Sequence, residues 1–259
     1  MSVLLFDYIC TRRAELGTMP ACPVAVTTVV STPMLDALAK KHGVALRKVL
    51  TGFKYIGEQV GLLEQEGQAE RFLFGCEESC GYLTGLSVRD KDAVNAVMLL
   101  CQMAAYHKAR GKNLAQALMG LYETYGFYQT ALLHFAFEGA CGMDRMGRIL
   151  DHMRRTCTAH FAGYPVQSRV DYEADKTGLP QCNMLFFALE QGGCVFIRPS
   201  GTEPKLKAVP YRSCAERTAG RAKAGGAANR VPHPDRGAGR RKITACLEPC
   251  NFAEGSPAA

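Results

Sequence analysis

The stretch PVAVTTVVSTPMLDALAKKHGVALRKVL, residues 23–50, has the pattern of a strand, a helix and a second strand. Its first eight residues are apolar or β-branched, which favours a buried strand. The helix pattern follows, with Thr32 as the predicted N-cap, Pro33 as the first helical residue and Gly43 as the stop. LRKVL then has the pattern of the next strand. This succession predicts parallel neighbouring strands in an α/β sheet.

The same alternation continues on both sides of this stretch. Apolar residues at helical spacing precede it in LLFDYICTRRAEL and follow it in IGEQVGLLEQEG, DKDAVNAVMLLCQMAAYHKARG and NLAQALMGLYETYG, while RFLFG has the pattern of a third strand. We therefore predict that residues 1–126 form an α/β domain on a largely parallel sheet. From residue 127 onward one helix, MDRMGRILDHMRR, lies among strands such as NMLFFAL and CVFIR. This pattern predicts a smaller α+β domain over residues 127–210.

The last segment, residues 211–259, has a different composition from the rest of the chain. Ala, Gly and Pro make up 21 of its 49 residues, and no hydrophobic period is present, so we predict a disordered tail. Nine Lys or Arg against four Asp or Glu give this tail +5 of the net +7, which leaves +2 for the first 210 residues. A basic tail that binds nucleic acid is the alternative, but it lacks the aromatic residues that stack on bases. We expect no nucleic-acid partner.

Hydropathy and cysteine usage indicate in which cellular compartment the protein is expected. The longest apolar runs are much shorter than the ~20 residues of a transmembrane helix, and the N-terminal charges follow the first apolar patch instead of preceding it. We expect neither a membrane partner nor a signal peptide. The 12 cysteines are scattered, without a CxxC pair, and are interpreted as reduced thiols. The prediction is a cytoplasmic protein.

The segment RPSGTEP, residues 198–204, carries groups that suit a phosphate. The guanidinium of Arg198 matches phosphate oxygens in shape and charge. Gly201 allows close approach of the backbone, and the N–H groups of Ser200, Gly201 and Thr202 could form an anion-binding nest. An ordinary Ser-Gly hairpin turn between prolines is the alternative, and composition alone leaves both open.

A second candidate loop, FGCEESCGYL at residues 74–83, follows a predicted strand end, where open α/β sheets bind ligands. The carboxylates of Glu77 and Glu78 can accept hydrogen bonds from sugar hydroxyls, and Ser79 can donate or accept. A solvated acidic turn is the alternative interpretation.

Two further loops carry basic residues. LTGFKYIG, residues 50–57, places Lys54 at a strand-to-helix turn, and VRDKDAV, residues 88–94, places Arg89 and Lys91 near a helix N-terminus. Basic groups oppose the helix dipole there unless an anion is close. Salt bridges with Asp90 and Asp92 are the structural alternative. Hydroxyl acceptors, ammonium groups and a phosphate nest in one chain together suggest a phosphorylated sugar.

The motifs TGFKYIGE, GCEESCGYL, VRDKDAV and RPSGTEPK occur in the order found in the α-D-phosphohexomutases, and residues 3–208 resemble the third and fourth domains of a bacterial phosphoglucomutase/phosphomannomutase. The resemblance implies an isomerase, an intramolecular phosphotransferase that interconverts hexose 1-phosphate and 6-phosphate through a hexose 1,6-bisphosphate. It also implies an α/β/α third domain and a TATA-binding-protein-like α+β fourth domain. Glu78 favours the glucose and mannose branch, because the phosphoglucosamine branch usually has glutamine at this place.

Residue roles are carried over from the resemblance by motif. Glu77 and Ser79 would contact sugar hydroxyls, and Lys54, Arg89 and Lys91 would line the sugar and phosphate side of the third domain. The phosphate that is not being transferred would be held by the RPSGTEP residues Arg198, Ser200, Gly201 and Thr202.

The sequence also departs from the family pattern. It contains neither a TASHNP-like phosphoserine loop nor a DGDxDR loop for Mg²⁺, so we expect no catalytic or metal residue in this chain, with the Mg²⁺ ligands outside it. The expected fourth domain is incomplete, and the tail resembles GC-rich coding sequence read out of frame. We predict a fragment that is inactive alone and whose partner is the missing N-terminal half of the enzyme. The alternatives are an autonomous sugar-phosphate-binding module without turnover and a non-functional product.

Overall fold

The computed structural model describes residues 1–137, 139, 141–157, 159–200 and 203–214. It divides the chain into two compact units, Met1–Tyr128 and Gln129–Ala259. The division lies two residues after the predicted boundary at 126/127. In the described ranges, no helix combines the length and apolar character needed to cross a membrane.

The first unit is built on a four-stranded sheet with strand order β2-β1-β3-β4. β1 pairs in parallel with β2 and β3, whereas β4 pairs antiparallel with β3. The predicted parallel sheet therefore has an antiparallel edge strand, which the sequence analysis missed because β4 is three residues long. The strands are β1 (Val24–Thr28), β2 (Ala45–Val49), β3 (Phe72–Glu77) and β4 (Gly81–Leu83), and the helices are α1 (Ser2–Glu15), α2 (Met34–His42), α3 (Phe53–Gln65), α4 (Ala93–Ala109) and α5 (Leu114–Tyr125).

Hydrophobic cores cover both faces of this sheet. β1 is buried along its whole length and alternates between them, with Ala25 in one core and Val24 and Val26 in the other. The Ala25 core includes α1 and α2, and the opposite core includes the apolar stripe of α3. The α/β class that the sequence pattern predicted is confirmed, and the layers have the α/β/α arrangement that the family resemblance implied.

Two helix starts differ from the predictions. Pro33 is the N-cap of α2 rather than its first residue, and the Thr32 hydroxyl accepts a 3.4 Å hydrogen bond from the Met34 N–H. α4 begins at Ala93, because the Asp92 carboxylate caps it by accepting from the Asn95 N–H at 2.9 Å. Arg89 and Lys91 therefore lie in the loop before α4.

The second unit contains a sheet with strand order β5-β11-β10-β9-β8-β7, with β6 also paired to β11. Its strand β5 begins two residues before the boundary between the units. The α6 stripe Met146, Ile149, Leu150 and Met153 packs on the apolar side chains of β9, β10 and β11. An α+β architecture is therefore confirmed, while the TATA-binding-protein-like detail stays a prediction. The elements are β5 (Phe127–Thr130), β6 (Leu133–Ala136), α6 (Gly142–Thr156), β7 (His160–Phe161), β8 (Tyr164–Asp171), β9 (Leu185–Leu189), β10 (Gly193–Pro199) and β11 (Lys205–Cys214).

Strand β11 corrects the predicted start of the tail. Regular structure was predicted to end at residue 210, but β11 continues to Cys214. It stays in antiparallel register with β10, including the pairs Cys194↔Tyr211 and Gly193↔Arg212. Tyr211 is buried and packs edge-on against Phe196. Tyr211 is the one large apolar residue in this segment, and a single residue cannot establish the alternation by which a strand is recognised in sequence. The predicted disorder and frameshift of residues 215–259 lie outside the described residues.

Candidate functional site

The acidic segment of the first unit forms a tight turn between β3 and β4. Glu77 is the last residue of β3 and pairs with Gly81 of β4, so only residues 78–80 connect the strands. Cys80 takes a left-handed conformation with φ of 61°. The pattern RFLFG predicted a strand that ends at Gly75. The structure extends β3 by two residues and places Glu77 at the carboxyl edge of the sheet.

Glu77 lies at the centre of the contacts in this turn. Its side chain is 8% exposed, and its Oε1 accepts a 2.9 Å hydrogen bond from the Ser79 hydroxyl. The ammonium group of Lys91 is 3.5 Å from the same oxygen and 5.2 Å from the ring centroid of Phe53. A nearly buried carboxylate is thus bound to a hydroxyl and to a lysine that is half exposed. The structure brings together three of the predicted residues: Glu77, Ser79 and Lys91.

The absence of a side chain at Gly81 lets this group pack closely. A Cβ atom there would lie 2.7 Å from Glu77 Cγ and 2.8 Å from Lys91 Cδ. Any larger residue would displace the carboxylate or the lysine stem. Gly81 therefore belongs to the construction of the site, although the sequence analysis did not single it out.

Glu78 points to different partners. Its Oε2 accepts a 2.9 Å hydrogen bond from Thr28 Oγ1, which also lies 3.0 Å from Ser31 Oγ. Thr28 and Ser31 are functional candidates that sequence reasoning missed. Their signal was available, because hydroxyl residues directly after a buried parallel strand lie at the ligand-binding edge of the sheet.

Cys76, beside the acidic pair, is not a nucleophile at neutral pH. It is buried between β1 and β4, and burial raises the pKa of its thiol to about 11, although the hydroxyl of Thr27 favours the thiolate. The thiol therefore stays protonated at neutral pH. Its role in the turn is packing.

Two predicted basic residues lie elsewhere. Lys54, in the first turn of α3, is exposed and places its ammonium group 4.8 Å from the Tyr55 ring centroid. The guanidinium of Arg89 forms an ion pair with Glu64 near the C-terminal end of α3 and donates to the Leu86 and Val88 carbonyl groups. In the structure Arg89 therefore braces its loop against α3, whereas Lys91 reaches Glu77.

The predicted phosphate motif lies at the end of the hairpin formed by β10 and β11 in the second unit. Arg198 pairs with Lys207 across the strands, and the Ser200 N–H donates to the Lys205 carbonyl oxygen at 2.7 Å. Ser200 is buried. The hairpin alternative and the phosphate-binding prediction are thus compatible, because the motif is a hairpin end that carries an arginine and a buried serine. Gly201 and Thr202 lie outside the described residues.

Arg198 also affects a neighbouring thiol. Burial raises the pKa of Cys182, and the positive charge of Arg198 opposes this shift. The guanidinium therefore lies close enough to Cys182, which precedes β9, to act on its charge. Arg198 itself belongs to β10 and is paired with β11.

The described residues contain no group of three or more His, Cys, Asp or Glu that could hold a metal ion. The donor set of this part of the chain therefore does not fit the Mg²⁺ that the family resemblance implies, and no chemical step here is assigned to a metal.

One helix of the first unit presents an unusual surface. Val94, Val97 and Met98 of α4 are 83%, 59% and 51% exposed, and Cys101 continues the stripe one turn on. The opposite face of α4 packs into the core through Met103. No charged residue occurs from 93 to 106. A helix that is apolar on both faces is typical of a helix buried on both sides.

Comparisons with known proteins agree with this architecture. Residues 2–125 match the family model for phosphoglucomutase/phosphomannomutase, alpha/beta/alpha domain III. The phosphoglucomutases of Staphylococcus haemolyticus and Staphylococcus aureus strain MRSA252 are 34% and 31% identical over 218 and 227 residues, which cover 80% and 83% of this chain and 38% and 40% of theirs. The open form of parafusin, a phosphoglucomutase from Paramecium, superposes with a TM-score of 0.58 at 18% identity over 95% of this chain and 40% of its own.

The first unit is thus an α/β/α domain of the type described by that family model. The chain belongs to the phosphoglucomutase/phosphomannomutase family of phosphohexomutases, as the four motifs predicted. It spans about two fifths of the length of the curated relatives it matches.

Proposed function

We propose that this chain is the substrate-binding portion of a phosphohexomutase that interconverts hexose 1-phosphate and hexose 6-phosphate in the cytoplasm. The observation that carries the proposal is the group Glu77, Ser79 and Lys91 at the carboxyl edge of the first sheet. The carboxylate accepts from sugar hydroxyls, the serine donates or accepts, and the half-exposed ammonium group attracts a phosphate. The curated relatives that are 34% and 31% identical in sequence to this chain are phosphoglucomutases.

The second unit supplies the phosphate grip in this proposal. Arg198 offers a planar fork of N–H donors, and Ser200 lies at the same hairpin end. The motif extends through Gly201 and Thr202, which we propose as further phosphate contacts. Lys54 and Arg89 are proposed at the rim of the sugar site, with Arg89 acting through the loop that it braces.

Turnover requires groups that residues 1–259 do not contain. The sequence has no phosphoserine loop and no DGDxDR loop, and phosphoryl transfer depends on positioning and metal electrostatics. We therefore propose that these residues bind hexose bisphosphate without catalysing the reaction unaided. An autonomous binding module is the second candidate, favoured by the same missing loops.

Calorimetry and a coupled assay test this function. Residues 1–259 should bind glucose 1,6-bisphosphate and show no Mg²⁺-dependent conversion of glucose 1-phosphate to glucose 6-phosphate. Absence of binding would contradict the proposed site. Robust turnover by these residues alone would contradict the role assigned to the missing loops.

The exposed face of α4 supports a macromolecular partner. The curated relatives extend well beyond the matched region, and an uncharged helix with Val94 83% exposed calls for an apolar cover. We propose that this cover is the remaining part of a phosphohexomutase polypeptide, which would also bring the catalytic loops.

Introducing negative charge on this face should weaken the association strongly. The double variant Val97→Asp/Met98→Asp should weaken binding to the part of the Staphylococcus haemolyticus phosphoglucomutase that precedes the matched segment by at least about a hundredfold, because each side chain contributes ~1.5–3 kcal/mol when buried. Sedimentation velocity measures the affinity of the two polypeptides for each other. The matched control is the double variant Ala115→Asp/Thr124→Asp, which places the same charges on exposed positions of α5. Equal binding by both variants would exclude this face, and self-association lost only in the first would identify a second copy as the cover.

A further inference from the structure

Buried hydroxyl groups lie directly behind the acidic turn. Thr27, Thr28 and Ser31 are 1%, 0% and 8% exposed. Together with Glu77 they are the buried polar residues in the described part of the first unit. All four lie at the carboxyl ends of the neighbouring parallel strands β1 and β3. The polar interior of this unit is therefore concentrated at one edge of its sheet.

These hydroxyls form a connected network. Thr27 Oγ1 lies 2.8 Å from Ser31 Oγ and 3.0 Å from the carbonyl oxygen of Cys76. Ser31 Oγ lies 3.0 Å from Thr28 Oγ1, whose proton is donated to Glu78 Oε2 at 2.9 Å. The network therefore joins β1 to both the backbone of β3 and the carboxylate that follows it.

The number of hydroxyl protons determines the direction of hydrogen-bond donation in the network. Each hydroxyl has one proton, and Thr28 donates its own to the Glu78 carboxylate, so any hydrogen bond between Thr28 and Ser31 must be donated by Ser31. A hydrogen bond to an ionised acceptor is stronger than one between neutral groups. Thr28 is fully buried, so its rotamer is fixed by packing while the turn that it contacts is exposed at Glu78.

The two adjacent acids are held by different elements. Glu77 is bound by Ser79 and Lys91, and Glu78 is bound by Thr28 from β1. The peptide unit between the acids is thus fixed at both ends. Loss of the Thr28 contact would release the turn that carries Ser79.

We propose that Thr28 is a positioning residue of the sugar site, which sets the Glu78 carboxylate and the 78–80 turn in place for a polyhydroxylated ligand. This role rests on the proposed function of the acidic turn. Thr28 acts through Glu78 and is not assigned a contact with the ligand.

Three variants of residues 1–259 test the role. Thr28→Val keeps the shape and removes the hydroxyl, Thr28→Ser keeps the hydroxyl, and Thr124→Val is the control because its hydroxyl is exposed and donates to the Gly120 carbonyl oxygen of its own helix. Hydrogen–deuterium exchange of the segment 76–83 should accelerate about tenfold in Thr28→Val. Its affinity for glucose 1,6-bisphosphate should fall about tenfold or more. Thr28→Ser should restore both to within about threefold, and Thr124→Val should change neither.

Each outcome decides the proposal. Unchanged exchange in Thr28→Val, or faster exchange with unchanged affinity, would overturn it. If Thr28→Val does not fold, Glu78→Gln weakens the same hydrogen bond from the exposed side and should accelerate exchange of the segment in the same way; unchanged exchange would then overturn the role. If the unmodified chain fails to bind the bisphosphate, the proposed function falls, and the exchange measurements alone decide whether Thr28 orders the turn.

Discussion

Replacing Arg198 by alanine is expected to produce the largest loss of ligand affinity in this chain. A charge-assisted contact between a guanidinium and a phosphate contributes on the order of 2–4 kcal/mol, which corresponds to about 30- to 1000-fold in the dissociation constant of glucose 1,6-bisphosphate. Lys207 is paired with Arg198 across the hairpin, but an ammonium group cannot reproduce the planar fork of a guanidinium. Calorimetric titration of residues 1–259 measures the change.

Arg155→Ala is the matched control for this prediction. Arg155 is an exposed arginine in the last turn of α6, so its removal changes the net charge by the same amount without touching the hairpin. Its affinity should stay within about twofold of the unmodified chain. Equal losses in both variants would indicate a general charge effect, and an unchanged affinity in Arg198→Ala would remove this residue from the site.

Gly57→Ala is expected to cause a large loss of stability for the addition of a single carbon atom. A Cβ atom at Gly57 would lie 2.4 Å from the backbone oxygen of Arg89, which cannot move without displacing the loop before α4. Overpacking of this kind costs about 1–3 kcal/mol. The gain in helix propensity from glycine to alanine, about 0.5–1 kcal/mol, offsets only part of this cost, because the clash is with a backbone atom that cannot rotate away.

The same helix provides the control. Gly61 lies four residues further along α3, and a Cβ atom there would have no heavy atom within 4 Å. Gly61→Ala should therefore raise the free energy of unfolding by about 0.5–1 kcal/mol, and Gly57→Ala should lower it. Urea denaturation followed by circular dichroism measures both changes. Two shifts of the same sign would refute the close approach of α3 to the Arg89 loop.

The sequence predicted most of the elements and the family. The alternation over residues 23–50 predicted β1, α2 and β2. A buried parallel strand appears in the sequence as a short apolar run, and an amphipathic helix appears as apolar residues with a 3.6-residue period. The motifs around Glu77 and Arg198 were found because charged residues and glycines interrupt apolar runs there. The antiparallel strand β4 was missed because three residues are too few to establish a period.

The candidate site could be predicted only in part. Ser79 and Lys91 were placed with Glu77, and the structure brings these three together. Arg89 was grouped with Lys91 because they are two positions apart in the sequence. In the folded chain they reach different partners, Glu64 for Arg89 and Glu77 for Lys91. Side chains in an irregular loop have no fixed period, so their directions cannot be deduced from spacing.

By itself, the sequence determined the α/β class, the order of the elements and the chemical character of each loop, because these depend on patterns within about ten neighbouring residues. Tertiary structure decided which loops meet. Thr28 reaches Glu78 across 50 positions, and the backbone of Arg89 fits against Gly57, because β1 lies beside β3 and α3 packs on the same sheet. Such contacts depend on strand neighbours and register, and burial of the two apolar faces of the sheet fixes these once the whole domain folds.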